Sequence, residues 1–93
     1  MFEKALEHYN EALKIYRYVG EKRNASSCAY DTATLLKDLH RYKEAEPIAR
    51  ECVTWRQDIY KDAPDAPEVT LAMALLAVVL SSPDIGRMSE AEV

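Results

Sequence analysis

Glycine is nearly absent from the chain: Gly20 and Gly86 are the only two in 93 residues, and there are four prolines. With so few breakers, and with Ala, Leu, Glu and Lys abundant, the composition favours helix throughout, and no strand-rich segment competes with it. A hydrophobic fraction of 48% is enough to build a core and argues against disorder. Cysteine is scarce too. Cys28 and Cys52 have neither Cys-x-x-Cys nor Cys/His ligand spacing, so they read as reduced, buried thiols acting as small hydrophobes rather than as a disulfide or metal pair. A basic excess is missing: the formal charge is -4 and the pI about 5.1. That leaves no long-range field for nucleic acid or an anionic membrane surface. The longest apolar run, Leu71 to Leu80, is ten residues, about half of the ~20 that a membrane-spanning helix requires. The N-terminus carries Glu3 and Glu7 inside an amphipathic pattern and lacks the basic and apolar regions of a signal peptide, so a cytoplasmic setting is expected. No phosphate-cradling glycine loop, His-Glu-x-x-His or Ser/His/Asp signature is present. His8 and His40 have no second metal ligand at helical spacing, and Glu3, Glu7, Glu11, Glu44 and Glu46 read as solvated helix faces. The expectation is a chain that is not an enzyme and uses no cofactor.

What is present is a repeat. Arg41-Tyr42-Lys43-Glu44-Ala45-Glu46-Pro47 is echoed by Phe2-Glu3-Lys4-Ala5-Leu6 and by Met88-Ser89-Glu90-Ala91-Glu92, each with a large apolar residue three places before an alanine. Ala5 and Ala45 are 40 residues apart, and Ala45 and Ala91 are 46 apart. Periods of this size belong to stacked supersecondary units rather than to one closed globule. Apolar residues at Phe2, Ala5, Leu6, Tyr9, Ala12, Leu13 and Tyr16 give a first amphipathic helix ending near Gly20, which suits a left-handed helix end. A second helix is expected from about Asn24, an N-cap, with Ala25, Ala29, Thr32, Ala33, Leu36 and Leu39 as its packing stripe. A third runs from about Arg41 to Tyr60, with Pro47 expected near its first turn and with Trp55 and Tyr60 as packing aromatics. Two prolines break the chain between Lys61 and Pro67, where Asp65 and Glu68 have capping-box spacing. The fourth helix, about Glu68 to Ser82, is apolar on every side and must be covered on more than one face. Met88 to Val93 would open a fifth.

These helix pairs, the period and the alanine motif resemble the tetratricopeptide repeat, and more closely the longer repeats of kinesin light chains and nephrocystin-type scaffolds. The likeness rests on Thr32-Ala33-Thr34-Leu35-Leu36, on Arg41 to Pro47 and on the proline loop Asp62 to Pro67. Leu76-Ala77-Val78-Val79-Leu80 repeats the first of these, Ala77 lying 44 residues after Ala33. His40 stands at a turn site where the family commonly has glycine. The resemblance implies an all-α fold of antiparallel helix-turn-helix repeats stacked as an α-solenoid. Residues 1–20 would be the second helix of a first repeat, 24–65 a complete repeat and 66–93 a partial third.

In this family the first helix of each repeat lines a concave groove. Carried onto this chain, the groove residues are Ser27, Tyr30, Thr34 and Lys37 on the second helix and Leu71, Ala74 and Val78 on the fourth. The implied function is a protein-protein interaction scaffold that binds a peptide or protein partner, without nucleic acid or membrane insertion. The first four residues supply an aromatic, hydroxyls and a cation for a partner with some acidic character; equally, they form a solvated face. The apolar three are either a hydrophobic groove or a surface buried by a further repeat. Self-association through residues 69–80, a purely structural segment, and a regulatory module of a larger enzyme are the alternatives. The burial of the thiols carries its own expectation: neither Cys28 nor Cys52 should react with a bulky thiol reagent until denaturant is added. Rapid labelling of both in the native protein would contradict it.

Overall fold

The structure, a computed structural model, describes residues 2–82. The fifth helix expected from Met88, and most of the turn before it, lie outside the described residues. Those described form four helices, α1 (Phe2–Val19), α2 (Lys22–Asp38), α3 (Tyr42–Ile59) and α4 (Pro67–Leu80), and no strand occurs among them. The protein is all-α over this span.

Short links make successive helices antiparallel neighbours, and the core shows it. One apolar cluster gathers Leu6 from the start of α1, Ala33 and Leu36 from late α2, Ala45 and Ala49 from early α3, and Leu75 and Val79 from late α4. The other gathers Leu13, then Ala25, Cys28 and Ala29, then Cys52, then Ala72, from the opposite ends of the same helices. α1 packs on α2, α2 on α3 and α3 on α4, and α2 also touches α4. No Cα atom of α1 comes within 8 Å of one in α4 or in α3. The arrangement is therefore open, unlike a bundle whose first and last helices meet.

Six of the fourteen buried apolar residues are alanines, each at most 1% exposed. Side chains this small fill little volume, so density is reached only by bringing backbones close. The thiols fit the same plan. Cys28 Sγ donates to the Tyr9 carbonyl of α1 at 3.2 Å, and Cys52 Sγ donates to the Ser26 carbonyl of α2 at 3.3 Å. Both are free and buried, and burial pushes both thiol pKa values up, so they stay protonated.

Two helix ends close in the same way. After α1, Gly20 takes a left-handed conformation (φ 72°), its amide bonding the Arg17 carbonyl while the Glu21 amide reaches the Tyr16 carbonyl. After α2, His40 does likewise (φ 59°), with its own amide on Lys37 and the Arg41 amide on Leu36. A non-glycine residue costs ~1–2 kcal/mol in that conformation. The His40 ring is tied to the next helix, its Nδ1 2.9 Å from the Tyr42 hydroxyl.

Three details differ from the sequence expectation. α2 starts at Lys22, and Asn24, instead of capping it, lies in its first turn and donates to the Glu21 carboxylate at 3.0 Å. The amide that an Asn24 cap would have satisfied is already inside the helix. Pro47 is the sixth residue of α3, beyond the first turn, so its ring denies the Lys43 carbonyl the amide that would complete the ladder. The Asp65 capping box does not form: Ala66 holds the cap position without a side-chain bond, and Pro67 supplies the start of α4 by its fixed φ.

Exposed ion pairs cross the surface. Arg17 pairs with Glu51, Lys22 with Asp58 (2.6 Å) and Arg41 with both Glu3 (2.8 Å) and Glu44 (2.5 Å). Such pairs contribute ~0–1 kcal/mol each and orient helices more than they stabilise them. The alanine joints matter more. Ala45 is fully buried in the cluster it shares with Ala33 and Leu36 of α2, so the three heavy atoms that Ala45→Leu adds should lower the unfolding free energy by about 1–3 kcal/mol through overpacking. Chemical denaturation that gave wild-type stability would refute the close crossing.

Candidate functional site

Helical spacing puts Ser27, Tyr30, Thr34 and Lys37 on one face of α2, and the structure gives them unequal exposure. Ser27 is exposed, while Tyr30, Thr34 and Lys37 are half-buried. Tyr30 packs against both core clusters, with the Arg56 guanidinium 4.9 Å from its ring centre. It is a packing residue with one covered face rather than a free aromatic. Thr34 Oγ1 is buried without a hydrogen-bond partner, an arrangement that costs ~1–3 kcal/mol. Lys37 Nζ lies 3.5 Å from the Asp38 carboxylate.

On α4 the apolar stripe Val69, Ala72, Leu75 and Val79 turns inward, and the opposite side is left bare. Leu71 and Val78 are 53% and 54% exposed, and Ala74 is exposed between them. The three form one patch, adjoining Leu75 on the side of α4 that continues from Glu68.

Glu68 belongs to a polar cluster at the end of the molecule where α2 starts, α3 ends and α4 starts. The Tyr60 hydroxyl donates to Glu68 Oε2 at 3.0 Å, and Arg56 Nη1 donates to the Glu68 carbonyl at 3.0 Å. Arg23 lies 5.7 Å from the centre of the Tyr60 ring, within range of a cation–π interaction. A cleft of about 90 Å³ opens there, and Ser27 shares it with Arg23, Arg56 and Glu68. The Glu68 carboxyl is held below the usual glutamate range, first by its own backbone amide, then by the Tyr60 hydroxyl and the nearby Arg56 and Arg23.

Of the seven residues expected from sequence, the structure thus brings Ser27 and Tyr30 into this cluster, leaves Leu71, Ala74 and Val78 as a bare strip one turn beyond it, and sets Thr34 and Lys37 toward the other end of α2. Arg23, Arg56 and Glu68 were not expected here. Their only sequence signal is positional: antiparallel neighbours bring the start of α2 beside the end of α3, so cations there meet aromatics across the joint. Among the described residues no group of three or more His, Cys, Asp or Glu could hold a metal ion, and no helix is long and apolar enough to cross a membrane. No protein-family model, curated protein or solved structure matches the chain.

The depressed Glu68 carboxyl gives a pH signature. Its tie to Tyr60 is fully present above the ordinary glutamate pKa and is lost as the pH falls through the lower folded value. Glu68→Gln should therefore be less stable than wild type at neutral pH, with the gap closing in acid. Denaturant midpoints that differed by the same amount at every pH would contradict this.

Proposed function

We propose that the chain is a stretch of tetratricopeptide-like α-solenoid, working in the cytoplasm as a scaffold that holds a peptide or protein partner along the α2–α4 face. One observation carries the proposal: α1 never approaches α4, while α2 does. Helices joined only to their neighbours and next neighbours stack in a row and leave alternate helices side by side on a common surface. Here that surface would run from the hydroxyl and aromatic side chains of α2 to the bare Leu71, Ala74 and Val78 of α4. Apolar anchors beside polar orienting groups are what a bound peptide requires. The Arg23 and Arg56 cleft next to the strip favours an acidic residue in the partner at that end. No catalytic step is assigned to the chain.

Selection from a random peptide library displayed on phage tests this. Enriched peptides should share an apolar pair and an acidic residue, and Leu71→Asp with Val78→Asp should weaken them at least about tenfold, or about 1.4 kcal/mol. Both side chains are exposed, so the double variant keeps its core. No enrichment, or peptides that bind the variant equally well, would overturn the proposal.

A further inference from the structure

The interface between α2 and α3 is duplicated in halves at the two outer faces of the molecule. Within the chain, Ala29, Ala33 and Leu36 of α2 are buried with Ala45, Ala49 and Cys52 of α3, and the Cys52 thiol bonds α2 directly. The 44-residue step that relates Ala33 to Ala77 carries Ala25 and Cys28 onto Val69 and Ala72, which are buried too, so α2 and α4 share one register. The same step carries Ala29, Ala33 and Leu36 onto Met73, Ala77 and Leu80. All three are exposed, Met73 by 51% and Leu80 by 38%.

The 40-residue step back from α3 completes the pattern. Tyr42, Ala45, Ala49 and Cys52 become Phe2, Ala5, Tyr9 and Ala12, one face of α1. Phe2 is 60% exposed, and the other three are only half-buried although their α3 equivalents Ala45, Ala49 and Cys52 are fully buried. Among the described residues, an open α2-like face on α4 and an open α3-like face on α1 therefore lie on one molecule. They cannot cover each other within it, because α1 and α4 do not meet.

We propose that a second copy of this chain covers them, α1 of one copy docking on α4 of the next as α3 docks on α2. A single contact then buries both faces, which a segment folding onto α4 alone would not do. Ala77 against Ala5 reproduces the small pair made by Ala33 and Ala45. Met73 and Tyr9, larger than Ala29 and Ala49, hold the two axes further apart, so the contact is weaker than the internal one. The joined patches differ from each other, so the contact is head-to-tail and does not close on itself. It uses the side of α4 away from Leu71 and Val78 and does not depend on the peptide surface.

Sedimentation velocity of the full 93-residue chain over a dilution series tests the proposal. The average mass should rise with concentration and pass beyond the dimer. Phe2→Arg and Ala77→Arg, both at exposed positions, should each be helical by circular dichroism and monomeric. Each keeps one intact face, so mixing the two in equal amounts should restore association and stop it at a dimer. Leu71→Asp with Val78→Asp should assemble as wild type does. A monomer at every concentration, a wild-type assembly that halts at a symmetric dimer, or a mixture of the two arginine variants that stays monomeric would each overturn it.

Discussion

How closely two helix backbones can approach decides most of this structure. Ala29 and Ala33 on α2 and Ala45 and Ala49 on α3 have no side chain beyond the β-carbon and are wholly buried. Helix axes separated by such residues lie toward the near end of the usual ~8–10 Å range. At that distance a cysteine thiol of one helix reaches a main-chain carbonyl of the helix before it, as Cys28 and Cys52 do. It also leaves little apolar area to bury per residue. The larger residues that supply it, Leu6, Leu13, Leu36, Leu75 and Val79, sit near helix ends or flank the alanine joints, dividing the core into two clusters.

α4 was legible as an unbroken apolar run following the proline loop, and the other three helices from apolar spacing, because the 3.6-residue period depends only on which side of a helix is covered. The alanine joints were legible for the same reason: Ala25, Ala29, Thr32, Ala33 and Leu36 are buried as the stripe required, and its last member, Leu39, is half-buried just past the end of α2. Helix ends were read less well. Asn24 has the chemistry of a cap, but Gly20 completes its reversal so tightly that α2 begins before Asn24 is reached. Pro47 tolerates an interior position because the packing of α3 outweighs one lost ladder bond. The turn that departs from glycine at His40 nonetheless keeps the glycine geometry, which shows that the hydrogen bonds of the joint, rather than residue preference, dictate the backbone there.

The candidate site was legible only within each helix. Spacing placed Ser27, Tyr30, Thr34 and Lys37 on one face, and Leu71, Ala74 and Val78 on another. Which groups would face them across a joint depends on the offset between helices, and that is fixed by tertiary packing. Hence Tyr30 is half covered by an arginine from α3 that no local pattern links to it. Hence also Glu68, a residue with capping spacing, spends its carboxylate on Tyr60. The cluster of Arg23, Tyr30, Arg56, Tyr60 and Glu68 joins three helices through side chains and the Glu68 carbonyl, so a group bound beside Ser27 would touch all three at once.

The open order of the helices has a kinetic side. Every helix contact is with a neighbour or next neighbour along the chain, so no joint waits for the two ends of the molecule to find each other. Low contact order of this kind favours fast folding from a local start, with α2 and α3 the pair best placed to form first because they share the densest alanine joint. It also lets damage stay local. α1, which packs on α2 and fully buries only Leu6 and Leu13, can detach while α2 to α4 remain packed, so the most easily opened of the four helices lies apart from the bare strip on α4.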